Sequence, residues 1–264
     1  MALHRDTTSR TTKGRVAGLC AALGVLVLSL VLSGCIVGTG TPTYADRSLG
    51  TVQAIQPMTA DTQDGQKLEE YGLFYSTNHD DVVALDQIPG QSGFDNDAVI
   101  ITNPDVKQVR VLVKYTATSG QVGTLTVDAK KLTPGTTYYY RFYTIGQESG
   151  GTVWRTLFAV GSHKTADPTL KSLKASAGTL SPSFARLKYS YTDTISRTTA
   201  SSKITVVPTI SGASVRMRID AGAWSSVRNK TVSVARGHSK TLYIEVSLPD
   251  GVVATYTVKV ARKS

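Results

Sequence analysis

Cysteine is almost absent from this sequence, with only Cys20 and Cys35 among 264 residues. Both lie near the N-terminus, so no disulfide framework can organise the remainder, which has to hold itself together by core burial. Histidine is also sparse: beyond the first apolar run there are His79, His163 and His238, far apart and expected in turns or linkers. There is no Gly-x-Ser-x-Gly, no paired histidine motif and no phosphate-cradling glycine loop. These absences argue against hydrolytic, zinc-dependent and nucleotide-dependent chemistry, and the expectation is a non-enzyme with no catalytic residues and no cofactor. No amphipathic stripe reaches ten residues, and no apolar run after Leu32 approaches the roughly 20 residues a spanning helix needs.

The N-terminus is distinctive. Arg5, Arg10, Lys13 and Arg15 precede an apolar run from Val16 to Leu32, which ends in Ser33-Gly34-Cys35. Basic, apolar and small-residue segments in that order describe an export signal. Leu32-Ser33-Gly34-Cys35 resembles the lipobox of bacterial lipoproteins. The resemblance implies a cleaved signal peptide over 1–34 and acylation of Cys35, whose thiolate is the nucleophile that can carry a thioether lipid. An uncleaved signal anchor and an ordinary secretory signal are the competing readings. On the lipoprotein reading the protein is held on the outer side of a bacterial cell membrane or outer membrane, facing away from the cytoplasm.

The formal charge of +10 conceals a division. Residues 35–166 carry 10 Lys and Arg against 13 Asp and Glu, a net of 10 − 13 = −3, whereas 167–264 carry 15 against 5, a net of 15 − 5 = +10. Asp167-Pro168-Thr169 marks the expected boundary, where a proline and the charge shift coincide.

Residues 35–43 contain breakers and no charge, and read as the lipidated cysteine and a flexible tether. Residues 44–166 hold short alternating runs, among them Val52–Ile55, Tyr71–Tyr75, Val109–Val113 and Thr124–Val127, which predict a β-sandwich. In Leu132-Thr133-Pro134-Gly135-Thr136-Thr137-Tyr138-Tyr139-Tyr140-Arg141-Phe142 a turn dipeptide leads into a strand. Period two places Tyr138, Tyr140 and Phe142 on one face and Tyr139, Arg141 and Tyr143 on the other. The segment resembles the Leu-x-Pro-x-Thr-x-Tyr strand of fibronectin type III domains, and Glu70–Ser76 is similar to the third strand of bacterial members. The resemblance implies that Tyr138 is a structural tyrosine-corner residue, bonded back to backbone near Leu132. Asp80 to Pro104 exceeds the family's usual length.

Residues 167–264 open with Leu170-Lys171-Ser172-Leu173 and Gly178-Thr179-Leu180-Ser181-Pro182-Ser183-Phe184. They close with alternating strands on either side of Asp250-Gly251. This pattern resembles the bacterial cadherin-like β-sandwich domain. The fold class is therefore all-β, two tandem Ig-like or fibronectin-like β-sandwiches after a cleaved lipoprotein signal peptide.

Three sets of residues are candidates for binding. Arg216 and Arg218 alternate with inward Val215, Met217 and Ile219, and with Arg228 and Lys230 they offer an anion-binding surface; keeping the sandwich soluble explains the same residues. Tyr139, Arg141 and Tyr143 form a candidate recognition surface, for which cross-strand pairing is the simpler account. Asn78-His79-Asp80-Asp81 with Asp86, and Asp95-Asn96-Asp97 with Asp105, offer oxygen ligands, but their spacing fits no calcium loop and no metal site is expected. The expected partners are the membrane through the lipid and an anionic cell-wall polymer, glycan or protein. Export argues against nucleic acid. The expected role is a binding or adhesion module of the envelope, with an accessory subunit of an envelope complex as the alternative.

Overall fold

The computed structural model describes residues 36–38, 41–60, 67–87, 104–116, 122–147 and 153–264. The chain divides into Met1–Ser33 and Gly34–Ser264, and every described residue belongs to the second unit. The export signal, Cys35 and the Asp95-Asn96-Asp97 cluster lie outside the described residues. Among the described residues no helix is long and apolar enough to cross a membrane.

The architecture is all-β. The strands of the N-terminal part are β1 (Ile36–Gly38), β2 (Thr43–Ser48), β3 (Thr51–Ala60), β4 (Lys67–Ser76), β5 (Lys107–Thr116), β6 (Val122–Ala129), β7 (Thr137–Gln147) and β8 (Val153–Lys164). One sheet pairs β3 with β6 on one edge and with β1 and β2 on the other, and a second runs β5-β4-β7-β8. Ile36–Gly38 were expected in the flexible tether. Instead they pair with Met58–Ala60, using backbone groups of β3 that β2 leaves free.

Between the two sheets lies a core of Val52, Ala54, Leu73, Val127, Tyr140 and Phe142 with their neighbours. Tyr44 stacks on Tyr140 at 4.8 Å between ring centroids. At the corner before β7 the backbone N–H of Thr133 donates to Tyr138 Oη at 3.0 Å. Gly135 has φ +70°, the left-handed conformation that the turn requires.

The second face of β7 is not exposed. A short helix, α1 (His79–Val83), and a following 3-10 turn (Ala84–Gln87) come after β4. Leu85 of that turn packs with Phe74, Val106 and Tyr143 in a small additional core.

The C-terminal part contains β9 (Leu170–Ala175), β10 (Thr179–Ser181), β11 (Ser190–Ile195), β12 (Ser201–Pro208), β13 (Ser214–Ile219), β14 (Asn229–Ser233), β15 (Ser239–Ser247) and β16 (Val253–Arg262). A five-stranded sheet runs β10-β11-β16-β15-β13 and faces a three-stranded sheet, β14-β12-β9. All pairs are antiparallel except β11 with β16, which is parallel. The Asp250-Gly251 turn joins β15 to β16 in the register Leu242↔Val258, Ile244↔Tyr256 and Val246↔Ala254. These side chains are buried together with Leu170, Ile204, Met217 and Val232.

The two sandwiches are joined at a polar elbow. Asp167 Oδ2 accepts from Arg186 Nη1 at 2.7 Å, and Arg186 Nη2 donates to the Pro134 carbonyl at 3.3 Å. Leu49, from the first sandwich, packs against the core of the second.

Candidate functional site

The candidate residues on β7 fall apart as a surface. Arg141 is 7% exposed and Tyr143 is fully buried, so the proposed Tyr139, Arg141 and Tyr143 recognition face is corrected: two of its three members are interior. Alternation along β7 does divide them from Tyr140 and Phe142, but α1 and the turn after it cover the outer face. Arg141 Nε donates to the Phe158 carbonyl at 2.9 Å and its Nη1 to the Val83 carbonyl at 3.3 Å, tying the helix end to the sheet. Tyr143 Oη donates to Glu70 Oε1 at 2.5 Å, and the Arg110 Nη2 to Glu70 Oε2 distance is 2.6 Å. Tyr139 meets His79 edge to face at 5.2 Å.

The acidic group at 78–81 has a structural role. Asn78 caps α1, its side chain accepting from the Asp80 N–H at 3.1 Å, and Asp80 and Asp81 occupy the first turn where the helix dipole favours negative charge. Asp81 accepts from Ser76 Oγ at 3.1 Å and from Asn78 Nδ2 at 3.3 Å. Among the described residues no three His, Cys, Asp or Glu side chains are grouped so as to hold a metal ion. His163, expected in a turn or linker, lies instead in β8, with its Nε2 2.7 Å from Asp46 Oδ2.

The basic residues form a more definite arrangement. On β13 the buried Val215 and Met217 alternate with outward Arg216 and Arg218. After Ile219 the chain turns at Asp220, whose φ of +49° reverses its direction, and returns along the free edge of β13. Met217 and Ser225 then exchange backbone hydrogen bonds of 2.8 and 2.9 Å. This return carries Trp224 over the two arginines: each guanidinium carbon is 4.8 Å from the indole centroid. Arg218 also lies 5.0 Å over the ring of its cross-strand neighbour Tyr243. Cation–π contacts of this kind are worth about 0.5–1 kcal/mol at exposed sites and more where water is excluded.

The two arginines differ in partner. Arg216 pairs with Glu245 at 2.6 Å, a hydrogen bond that raises its pKa further. Arg218 has no hydrogen bond or carboxylate partner among the described residues, and its buried Nε is unsatisfied. Its orientation is thus fixed by two rings while its charge remains uncompensated.

Arg228 and Lys230 do not share a sheet face with Arg216 and Arg218, which corrects their placement on one surface, but Lys230 Nζ reaches back to within 3.5 Å of the Met217 carbonyl, between the two arginines. The chain has crossed to the opposite sheet by Asn229, the first residue of β14. Arg228 Nη2 donates to the Ser211 carbonyl at 3.4 Å, and Lys230 Nζ donates to Ser225 Oγ at 3.0 Å. Lys230 therefore helps to hold the returning loop that carries Trp224.

Sequence reasoning missed Trp224 and Tyr243. A signal for the second existed, since Tyr243 alternates with Leu242 and Ile244 and must face outward. Nothing local announced Trp224, because only the return of the loop brings it back to β13.

The acids of this sandwich leave its positive charge largely uncompensated. Asp167 pairs with Arg186 and Glu245 with Arg216; Asp220 accepts from the Thr241 N–H and Asp250 from the Val252 N–H in turns. Asp193 is buried. Among the described residues the remaining lysines and arginines of 167–264 have no ion-pair partner.

Residues 166–263 match the family model of the cadherin-like beta sandwich domain. That portion of the chain is similar to a cadherin-like β-sandwich domain. Among curated proteins nothing matches the chain. Solved structures with some likeness include the ApaA protein of Bordetella pertussis, with a TM-score of 0.33 at 12% identity over 50% of this chain and 94% of that one. Red sea bream transglutaminase gives 0.24 at 7% identity, over 84% of this chain and 31% of that one. The α-L-rhamnosidase of Streptomyces avermitilis gives 0.27 at 10% identity, over 83% and 24%. This chain therefore spans less than a third of the two enzymes, and scores this low establish no shared fold.

Proposed function

We propose that this chain is a lipid-anchored, non-catalytic protein of a bacterial envelope that binds an anionic envelope polymer through its cadherin-like sandwich. Acylated Cys35 holds the N-terminal end at the membrane, and the first sandwich, read as fibronectin type III-like, acts as a spacer. The observation that carries the binding reading is Arg218, oriented by Trp224 and Tyr243 with no anion of the protein's own to neutralise it. An oriented, uncompensated guanidinium recognises phosphate or carboxylate with little ordering cost.

Binding of the purified chain to protein-stripped cell walls tests the reading. Affinity should fall steeply between low and physiological salt, and Arg218→Gln should weaken it about tenfold. Binding that is indifferent to both salt and Arg218 overturns the proposal. For the anchor, Cys35→Ser should prevent incorporation of labelled fatty acid and release the protein from membranes.

An accessory role in an envelope complex is the second reading. Leu112, 76% exposed on edge strand β5, favours it as an apolar contact point for a protein. Leu112→Ser should then abolish co-purification with one stoichiometric partner, whereas unchanged co-purification removes Leu112 from consideration.

A further inference from the structure

The Arg218 clamp stands at one end of a longer surface. Outward positions on the five-stranded sheet fall in rows fixed by the register. One row is Arg218, Tyr243, Thr257 and Ser190, on β13, β15, β16 and β11 in turn. The next is Thr241, Lys259 and Thr192. Over the far end of these rows is a groove of about 450 Å³, lined by Lys188, Ser190, Thr192, Thr241, Thr257 and Lys259 among others.

We infer that this groove is a second anion subsite, and that it and the Arg218 clamp together take a linear, phosphate-bearing polyhydroxy chain such as a phosphodiester-linked polyol or sugar polymer. The inference rests on the polymer-binding reading and specifies its ligand. Lys188 and Lys259 have no ion-pair partner among the described residues, and they bring two ammonium groups to a groove otherwise lined largely by hydroxyls. Hydroxyls both donate and accept, which suits the hydroxyl groups of a polyol. Ammonium groups act as point charges, which suits a phosphate approached from several directions.

Charges of the other sign on this face are few. Glu245 is occupied by Arg216, and Asp220 Oδ1 by the Thr241 N–H at 2.8 Å. Neither reaches across to the lysines through any contact of its own. Thr257 Oγ1 donates at 3.1 Å to Ser190 Oγ, so the row is already joined by a hydroxyl chain between strands.

The spacing defines the ligand's length. With neighbouring strands about 4.8 Å apart and residues rising about 3.4 Å along each, the backbones of Arg218 and Lys259 are about 12 Å apart. With the Arg218 guanidinium held between Trp224 and Tyr243, the two positions suit successive anionic groups of one chain better than a single phosphate. Linking two weak subsites through one ligand raises the overall affinity well above either.

The test is equilibrium binding of the full chain in detergent to a poly(glycerol phosphate) chain, to glycerol 3-phosphate and to neutral dextran. The polymer should bind at least tenfold more tightly than the monomer, and dextran should not bind. Lys188→Gln with Lys259→Gln should weaken polymer binding about tenfold without altering the melting temperature. Lys171→Gln with Lys203→Gln, which removes the same charge from the opposite sheet, should weaken it no more than twofold. Equal losses in the two double variants would reduce the effect to net charge and overturn the subsite. Polymer binding that depends on Arg218 but not on Lys188 and Lys259 would overturn it too, while leaving the arginine clamp standing. No polymer binding by the wild-type chain would remove the inference together with the polymer reading.

Discussion

Tyr143 donates to Glu70 across Gly72, with 2.5 Å between Tyr143 Oη and Glu70 Oε1. Gly72 of β4 sits opposite Tyr143 of β7 on one side and Arg110 of β5 on the other, and both side chains reach diagonally to the same carboxylate. Gln108 adds a bond to Tyr143 Oη at 2.8 Å. The glycine gives the tyrosine ring room to cross the strand.

A methyl group at Gly72 would fall 2.2 Å from the Val109 carbonyl oxygen, 2.5 Å from Tyr143 Oη and 2.6 Å from its Cε1. Gly72→Ala should therefore destabilise the chain by about 2 kcal/mol through overpacking. Denaturant melts of the two proteins check this, and an unchanged midpoint would show that both the Val109 backbone and the tyrosine ring can give way.

Stability should also fall in alkali. Burial raises the pKa of Tyr140, Tyr143 and Tyr256 above the ordinary value of 10.0, with the hydrogen bond to Glu70 adding to the effect at Tyr143. Below pH 10 both folded and unfolded states hold these protons and the contribution is fully present. As pH rises above 10, the unfolded state loses them first. Unfolding then becomes easier by up to about 1.4 kcal/mol per pH unit for each tyrosine. Guanidinium midpoints at pH 8 and pH 11 should differ accordingly, and a flat profile would contradict the burial of these phenols.

The corner tyrosine should matter through one atom. Tyr138→Phe leaves the ring in place but removes the acceptor for the Thr133 N–H, at an expected cost of about 1 kcal/mol. Thermal unfolding measures it. A variant as stable as the wild type would mean that water replaces the hydroxyl.

At the elbow, stability and geometry should separate. The Arg186 side chain is 39% exposed, so its ion pair with Asp167 should contribute less than about 1 kcal/mol. Arg186→Ala nonetheless breaks the bond to the Pro134 carbonyl and should widen the range of angles between the sandwiches. Small-angle scattering would show a broader distance distribution with little change in melting temperature. An unchanged distribution would assign the angle to the packing of Leu49 instead.

What was legible in the sequence was whatever repeats with the period of a strand. Leu242, Ile244 and Val246 facing Tyr256 and Val258 across Asp250-Gly251 could be read directly, because alternation places side chains and the turn dipeptide sets the register. The same rule separated Tyr140 and Phe142 from Arg141 and Tyr143. It could not say that the second face is covered, since α1 and its following turn are too short to show helical periodicity and act only by where they pack.

The sequence by itself determined the all-β class, the charge division at Asp167 and the outward direction of Arg216 and Arg218, all consequences of local pattern and composition. Tertiary structure alone decided which of the candidate side chains share a surface. Lys230 is close to Arg218 in sequence yet belongs to the opposite sheet, whereas Tyr243 is distant in sequence and lies against it. Strand pairing and loop return are set by how backbone hydrogen bonds and core side chains are satisfied together, and no local window of sequence contains that information.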